Sequence, residues 1–302
     1  MKMLRTLLAA SILATAVAPV YAADLDVYGK VNVSLQSSDK GDGSDTELKS
    51  NASRLGFKGS QKLDSGLTII YKYEMQVDVT GDNDKGDNIS ARNQYIGLEG
   101  DFGQILLGRN DTVFKKSQGK FDLYSDYNAD IKKLWKGENR LSDSITYYSP
   151  KLNGIQFGIS YILDEDNDDS ATSISVTYGD KALKKGKYYA AIAVDSEVKG
   201  YDATRVVLGT KVNGIKLGAM YQTQEKVSDG KEESGFLVNA QYKVGSYNFK
   251  GQYKTMEDDN GLTVGVDHKL GKSTKAYAWY STFNFDADED ESYLAIGLEH
   301  KF

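Results

Sequence analysis

The stretch "LTIIYKYEMQVDV", Leu67 to Val79, sets Leu67, Ile69, Tyr71, Tyr73, Met75, Val77 and Val79 on one alternation. Thr68, Lys72, Glu74, Gln76 and Asp78 fall on the other. Period-two alternation describes a β-strand with one apolar and one polar face. The pattern returns along the chain. "LDVYGKVNVSLQ" groups Leu25, Val27, Val31, Val33 and Leu35 against Asp26, Lys30, Asn32 and Gln36. "GIQFGISYIL" groups Ile155, Phe157, Ile159 and Tyr161, "IKLGAMY" groups Ile215, Leu217, Ala219 and Tyr221, and "LTVGVDHKL" groups Leu262, Val264, Val266 and Leu270. Sixteen strand segments are predicted, from 25–36 and 51–63 at the start to 273–284 and 291–302 at the end. Those at 89–100 and 103–111 alternate less cleanly, as expected of a wall that touches protein.

So many apolar faces need a cover, and the chain offers little else to pack on them. Strands of a soluble sandwich run to about 5–6 residues, whereas a tilted strand crossing a bilayer needs about 9–11. The predicted segments have the second length. Hairpin connections alternate in kind. "KLDSG", "GDFGQ", "PKLNG", "KVNG", "KVGS" and "KLGKS" are tight turns, while "SSDKGDGSDTELKSN", "TGDNDKGDN", "DEDNDD" and "DADEDE" are longer or more charged. Short turns at one end and polar loops at the other describe a membrane barrel. Closing the sheet removes the unpaired edges that lipid forbids. The fold class is therefore all-β, a transmembrane antiparallel barrel. A secreted β-helix or a large lectin-like sandwich is the alternative.

Composition agrees without deciding. Mean hydropathy is -0.49, which an alternating barrel with a polar interior shares with soluble proteins. The 302 residues include 30 Gly, 21 Tyr and 10 Phe but 2 Pro and no Cys. Disulfides, thiolate metal sites and cysteine nucleophiles are excluded. Lys2 and Arg5, the apolar run Leu7 to Val17 and the small-residue site "APVYAAD" read as a cleaved signal peptide over residues 1–22. Residues 23–302 then form a single barrel. Its 35 basic and 43 acidic residues leave a formal charge near −8, which speaks against nucleic acid as a partner.

Four stretches carry a family likeness: "DLDVYGKVNVSL" (24–35), "SRLGFKGSQKLDSGLTIIYKYE" (53–74), "ARNQYIGLEGDFGQILLGRND" (91–111) and "NRLSDSITYYSPKLNGIQFGISY" (139–161). In this order and spacing the chain resembles a general diffusion porin of the Gram-negative outer membrane. The resemblance implies a 16-stranded barrel, usually a homotrimer, in contact with outer-membrane lipid and lipopolysaccharide. It also implies passage of small hydrophilic solutes and ions. The third external loop would fold inward, and residues 111–139 fill that place. Matching the family's motifs puts Lys30, Arg54, Arg109 and Arg140 on the basic side of the constriction. Periodicity independently gives Lys30 and Arg54 polar faces; Arg109 shares its alternation with Ile105 and Leu107. Asp122 and Asp126 are the candidates for the acidic side, from a loop that also holds Asp111, Asp130 and Glu138. Six loop lysines weigh against a purely acidic face and leave anion preference open. Phe302, at the end of "SYLAIGLEHKF", matches the signal read by the outer-membrane assembly machinery.

Other motifs are declined. "HKLGKST" ends like a phosphate loop but has Val266 where a glycine is needed. The Asp-rich loops lack the spacing of a helix–loop–helix calcium site; divalent bridging to lipid headgroups is their weaker functional reading. His268 and His300 are the only histidines and fall on outward alternations. No cofactor, metal or enzymatic activity is expected. The competing function is a plugged barrel acting as adhesin, receptor or anchor.

Overall fold

The computed structural model describes residues 24–81, 88–163 and 170–302. The signal-peptide segment and the tracts 82–87 and 164–169, which hold much of two acidic loops, lie outside the described residues. Seventeen strands follow in order: β1 (Asp24–Asp39), β2 (Ser44–Ser50), β3 (Arg54–Lys62), β4 (Thr68–Val77), β5 (Ile89–Gly100), β6 (Gly103–Asp111), β7 (Arg140–Tyr148), β8 (Ile155–Ile162), β9 (Ala171–Gly179), β10 (Tyr188–Ser196), β11 (Tyr201–Val212), β12 (Ile215–Lys226), β13 (Lys231–Val244), β14 (Tyr247–Met256), β15 (Asp259–Lys269), β16 (Thr274–Asn284) and β17 (Glu291–Lys301). A short helix, α1 (Val113–Ser117), lies in the long connection after β6.

Along the wall each stave pairs antiparallel with its sequence neighbours, and β1 with β17 closes the cylinder. β2 and β3 both pair with β1, β2 with its Val33–Asp39 half and β3 with its Asp24–Lys30 half. They are two halves of one stave, broken at Asn51–Ser53 where Ala52 has φ 51°. The barrel therefore has sixteen staves. The predicted second segment, 51–63, begins too late, and most of the predicted loop 37–51 is strand. β2 pairs with β1 and has no ladder to β4, so "SDTELKS" has no regular apolar face to announce it. The end bearing Asp24 and Phe302 is called proximal, and the other distal. The difference in loop length between ends is smaller than predicted. Distal connections at 227–230 and 257–258 are tight, while the proximal connection 180–187 is eight residues long.

Polarity is inverted relative to a soluble protein. On β1, Lys30, Asn32, Ser34, Gln36 and Ser38 are buried while Leu25, Val27, Val31 and Leu35 are exposed. On β4, Tyr73 is 57% exposed and Glu74 only 4%. Burial in water-soluble folds follows the opposite order. Hydrocarbon around the cylinder makes this arrangement favourable, because lipid solvates the apolar outer face and the backbone bonds are all satisfied between strands.

Candidate functional site

The connection 111–139 does not project from the distal rim. Thr112 caps α1 by accepting from Lys115 N at 3.2 Å. The helix is pinned to the inner wall by Val113 N to Ser160 Oγ at 3.3 Å and Phe114 N to Ser173 Oγ at 3.0 Å. Phe121 then enters a window made by Gly209 and Gly218, which face each other across β11 and β12. A Cβ at Gly209 would come within 2.0 Å of the Phe121 ring. Tyr124 and Tyr127 continue onto Trp279 and Tyr277 of β16. On the return, Trp135 Nε1 donates to Thr255 O at 2.6 Å and Lys254 Nζ to Ala129 O at 2.8 Å. The fully buried Arg205 donates to Glu138 Oε1 at 2.8 Å. The inner faces of β10–β17 thus carry an apolar patch that the loop covers.

The charged groups converge where this loop meets β1–β7. Asp126 accepts from Lys30 Nζ at 2.6 Å and from Arg54 Nη2 at 3.1 Å. Glu74 pairs with Arg92 at 2.9 Å and Lys72 at 3.2 Å. Asp111 pairs with Arg140 at 3.0 Å and Lys115 at 3.2 Å. Buried charges are tolerated when paired in this way. Burial alone would raise the Asp126 carboxyl, but Arg54 and Lys30 outweigh it and hold it below the ordinary value. Asp130 goes the other way: burial, with Asp122 and Glu138 nearby, pushes it well above the carboxylate range.

Three lumen cavities adjoin the loop. A distal cavity of about 870 Å³ is bordered by eight Lys or Arg and three Asp or Glu. A proximal cavity of about 340 Å³ has six lysines and four acids, and the two cavities share Ser125, Asp126 and Tyr127. The segment touching Lys30 and Arg54 is therefore the septum between them. A third cavity of about 840 Å³ lies beside α1 and the connection 180–187, with five lysines and two acids.

The structure brings together Lys30, Arg54 and Asp126, and places Arg140 nearby on Asp111. Arg109 stands apart. It keeps the outward alternation of Ile105 and Leu107, lies opposite Gln94 and donates to Ser142 Oγ at 3.0 Å, although it also borders the distal cavity. Asp122 is an internal brace, accepting from Tyr124 N at 3.1 Å, Ile131 N at 3.0 Å and Gln252 Nε2 at 3.0 Å. Arg92 was absent from the sequence-derived set. Between Tyr73/Gln94 and Met75/Ala91 the register shifts by one residue. This bulge in β5 sets Arg92 and Asn93 opposite Glu74 and sends both side chains inward, onto Glu74 and Asp111. The irregular alternation of 89–100 was its only trace. The sequence also gave no notice that 180–187 turns inward, burying Leu183 against the loop cluster while Lys181 O accepts from Lys120 N at 3.0 Å. Among the described residues no cluster of His, Asp or Glu suits a metal ion.

Comparison with known proteins agrees with this architecture. The Gram-negative porin family pattern matches residues 9–288. The major outer membrane protein P.IB of Neisseria meningitidis serogroup B is 25% identical over 99% of this chain and 100% of its own length. Outer membrane protein U of Vibrio vulnificus is 25% identical over 91% of this chain and 75% of that protein. Among solved structures, the anion-selective porin from Comamonas acidovorans superposes with a TM-score of 0.75 at 21% identity, covering 93% of this chain and 100% of that one. The chain belongs to the Gram-negative porin family: a closed outer-membrane barrel for passive diffusion of small solutes and ions, without enzymatic activity.

Proposed function

We propose that this barrel is an anion-preferring diffusion pore whose narrowest section lies between loop 111–139 and the wall of β1–β7. The observation that carries the reading is the excess of Lys and Arg around all three lumen cavities, in a chain whose overall charge is -6. A lumen bordered by cations lowers the barrier for anions and raises it for cations. Lys30 and Arg54 pair with Asp126 at the septum and order water and polar solutes there. Arg92 and Arg140 extend the basic wall, and the net negative charge resides on surfaces away from the lumen.

The same reading includes a homotrimer. By strand alternation Gln94, Arg109 and Ser142 fall together on the outward side, beside the exposed Ile96, Ile105 and Leu107. Arginine facing lipid costs up to about 2–4 kcal/mol, less near the interface, so a protein neighbour is the better cover. Phe302, exposed at the proximal rim and laid over Gly29, serves as the assembly signal.

The test is the reversal potential of single channels in a potassium chloride gradient. Chloride preference is expected. Potassium preference overturns the selectivity, and a barrel that neither conducts nor swells sugar-loaded liposomes overturns the pore.

A further inference from the structure

The outer wall of the barrel carries a hollow that no side chain of the protein fills. Outward residues on β10–β12 are bulky, with Ile192, Val206, Leu208, Leu217 and Tyr221 exposed. On β13–β16 the pattern changes. Ala240 lies opposite Gly251, Gly251 opposite Val264, and Val266 opposite Ala278. These residues floor a groove of about 580 Å³. Tyr242 and Phe249 bank it on the proximal side, Tyr280 and Leu294 on the distal side. Glycine on the outward alternation is covered elsewhere: the Phe302 ring lies over Gly29, and Tyr71 over Gly59. Gly251 is bare, and a Cβ there would meet nothing within 4 Å.

A hollow left empty in hydrocarbon deprives its lining of dispersion partners, so the groove is stable only when something lies in it. Depth and charge point to the occupant. Gly251 stands five residues from Ser246, in the turn at the proximal rim. At about 3.3 Å per residue and a tilt of about 40°, that is roughly 13 Å below the rim. The groove therefore lies within one leaflet of a hydrocarbon core about 30 Å thick. The rim above it is basic. Lys243, Lys269 and Lys272 are exposed, and none forms an ion pair among the described residues. Connections 245–246 and 270–273 hold no acidic residue. The acids of this end, Asp267 and Glu299, are engaged by Lys250, Lys275 and Lys301. Long lysine stems carry their ammonium groups to the headgroup level. Tyr247 packs on His268 with ring centroids 4.4 Å apart, an amphipathic pair suited to the same level. A protein neighbour fits less well. The subunit proposed to cover Gln94, Arg109 and Ser142 meets β5–β7. Because β6 is the fifth stave and β14 the thirteenth, the groove faces the opposite side of the ring.

We propose that the groove on β13–β16 seats one acyl chain of an anionic glycerophospholipid of the proximal leaflet, with its headgroup held at the rim by Lys243, Lys269 and Lys272. The site lies outside the lumen and adds a bound lipid to the pore reading without altering ion selectivity.

The experiment uses the purified, delipidated protein in detergent. It is titrated with phosphatidylglycerol or with phosphatidylcholine of the same acyl chains, and bound lipid is counted by native mass spectrometry. Phosphatidylglycerol is expected to saturate at one molecule per chain and to bind about tenfold more tightly than phosphatidylcholine. Gly251→Leu fills the groove from a position with open space and should weaken that binding about tenfold. Lys243→Gln/Lys269→Gln/Lys272→Gln should abolish the preference for phosphatidylglycerol while phosphatidylcholine binds as before, and it tests the site independently of Gly251→Leu. Ala190→Leu, outward on β10, should change neither. Wild-type unit conductance in each variant checks that its barrel is intact. Equal binding of the two lipids by the wild-type protein overturns the proposal, as does undiminished binding by Gly251→Leu. Loss of oligomers in Gly251→Leu with lipid binding unchanged overturns it too, by showing that a second copy covers this face.

Discussion

The inner wall has two halves that solve different problems. Along β10–β17 it is partly apolar: Met220, Leu237, Trp279 and Phe283 face inward and are dry because loop 111–139 lies on them. Along β1–β7 it is polar and charged: Lys30 and Arg54 meet the loop at Asp126, and Glu74 and Arg92 pair on the wall. The first half holds loop 111–139 in place by packing. The second meets the loop through ion pairs. Loop 111–139 is thereby buried against the wall like a core element.

The largest way to break that division is at the Phe121 window. Phe121→Ala removes a ring buried among loop and wall, a change of the kind that costs about 3–5 kcal/mol in a core. Loop packing should loosen while the barrel stays closed. Larger or noisier unit conductance and new protease cleavage within 111–139 are the expected readings, and unchanged current would show that the loop does not limit flow. The charged half is tested next. Arg54→Gln with Arg92→Gln should shift the reversal potential toward cations, because Asp126 and Glu74 each lose a partner. Arg109→Gln should shift it far less, given its outward alternation. Equal shifts would erase the distinction between them. The smallest effect concerns pH. Lys116 faces Asp111, Lys181, Asn110 and Tyr148 and has its protonation midpoint pulled to about 8. Its charge is present below that value and lost above it, so chloride preference should decline modestly as pH rises from 7 to 9. Lys116→Gln should flatten that step. Linkage has the opposite sign for folding: a lowered lysine means stability rises with pH between about 8 and 10.5.

The staves were legible because lipid demands strict alternation, and Leu67–Val79 shows it plainly. Reading failed where that demand lapses. β2 has no regular apolar face, so its polar residues looked like a loop. The bulge in β5 changes the alternation of the residues after it, hiding Arg92 from any period-two count. Asp122 and Asp126 are alike in sequence and differ in role because the chain turns between them, aiming one into the loop and the other at Lys30 and Arg54. The apolar inner patch was invisible for a related reason. Met220 and Trp279 sit on the lumen alternation, where water was expected and the loop is found.

Gly29 and Phe302 exchange both backbone hydrogen bonds, N to O at 2.9 Å and 3.2 Å, at the seam where β1 meets β17. These partners lie almost a whole chain apart. Until β17 arrives, the edge of β1 that meets it is bare. Contacts of such sequence separation form slowly, and a bare strand edge recruits foreign strands. The geometry of one seam thus leaves a strand edge open for as long as the ring stays unsealed.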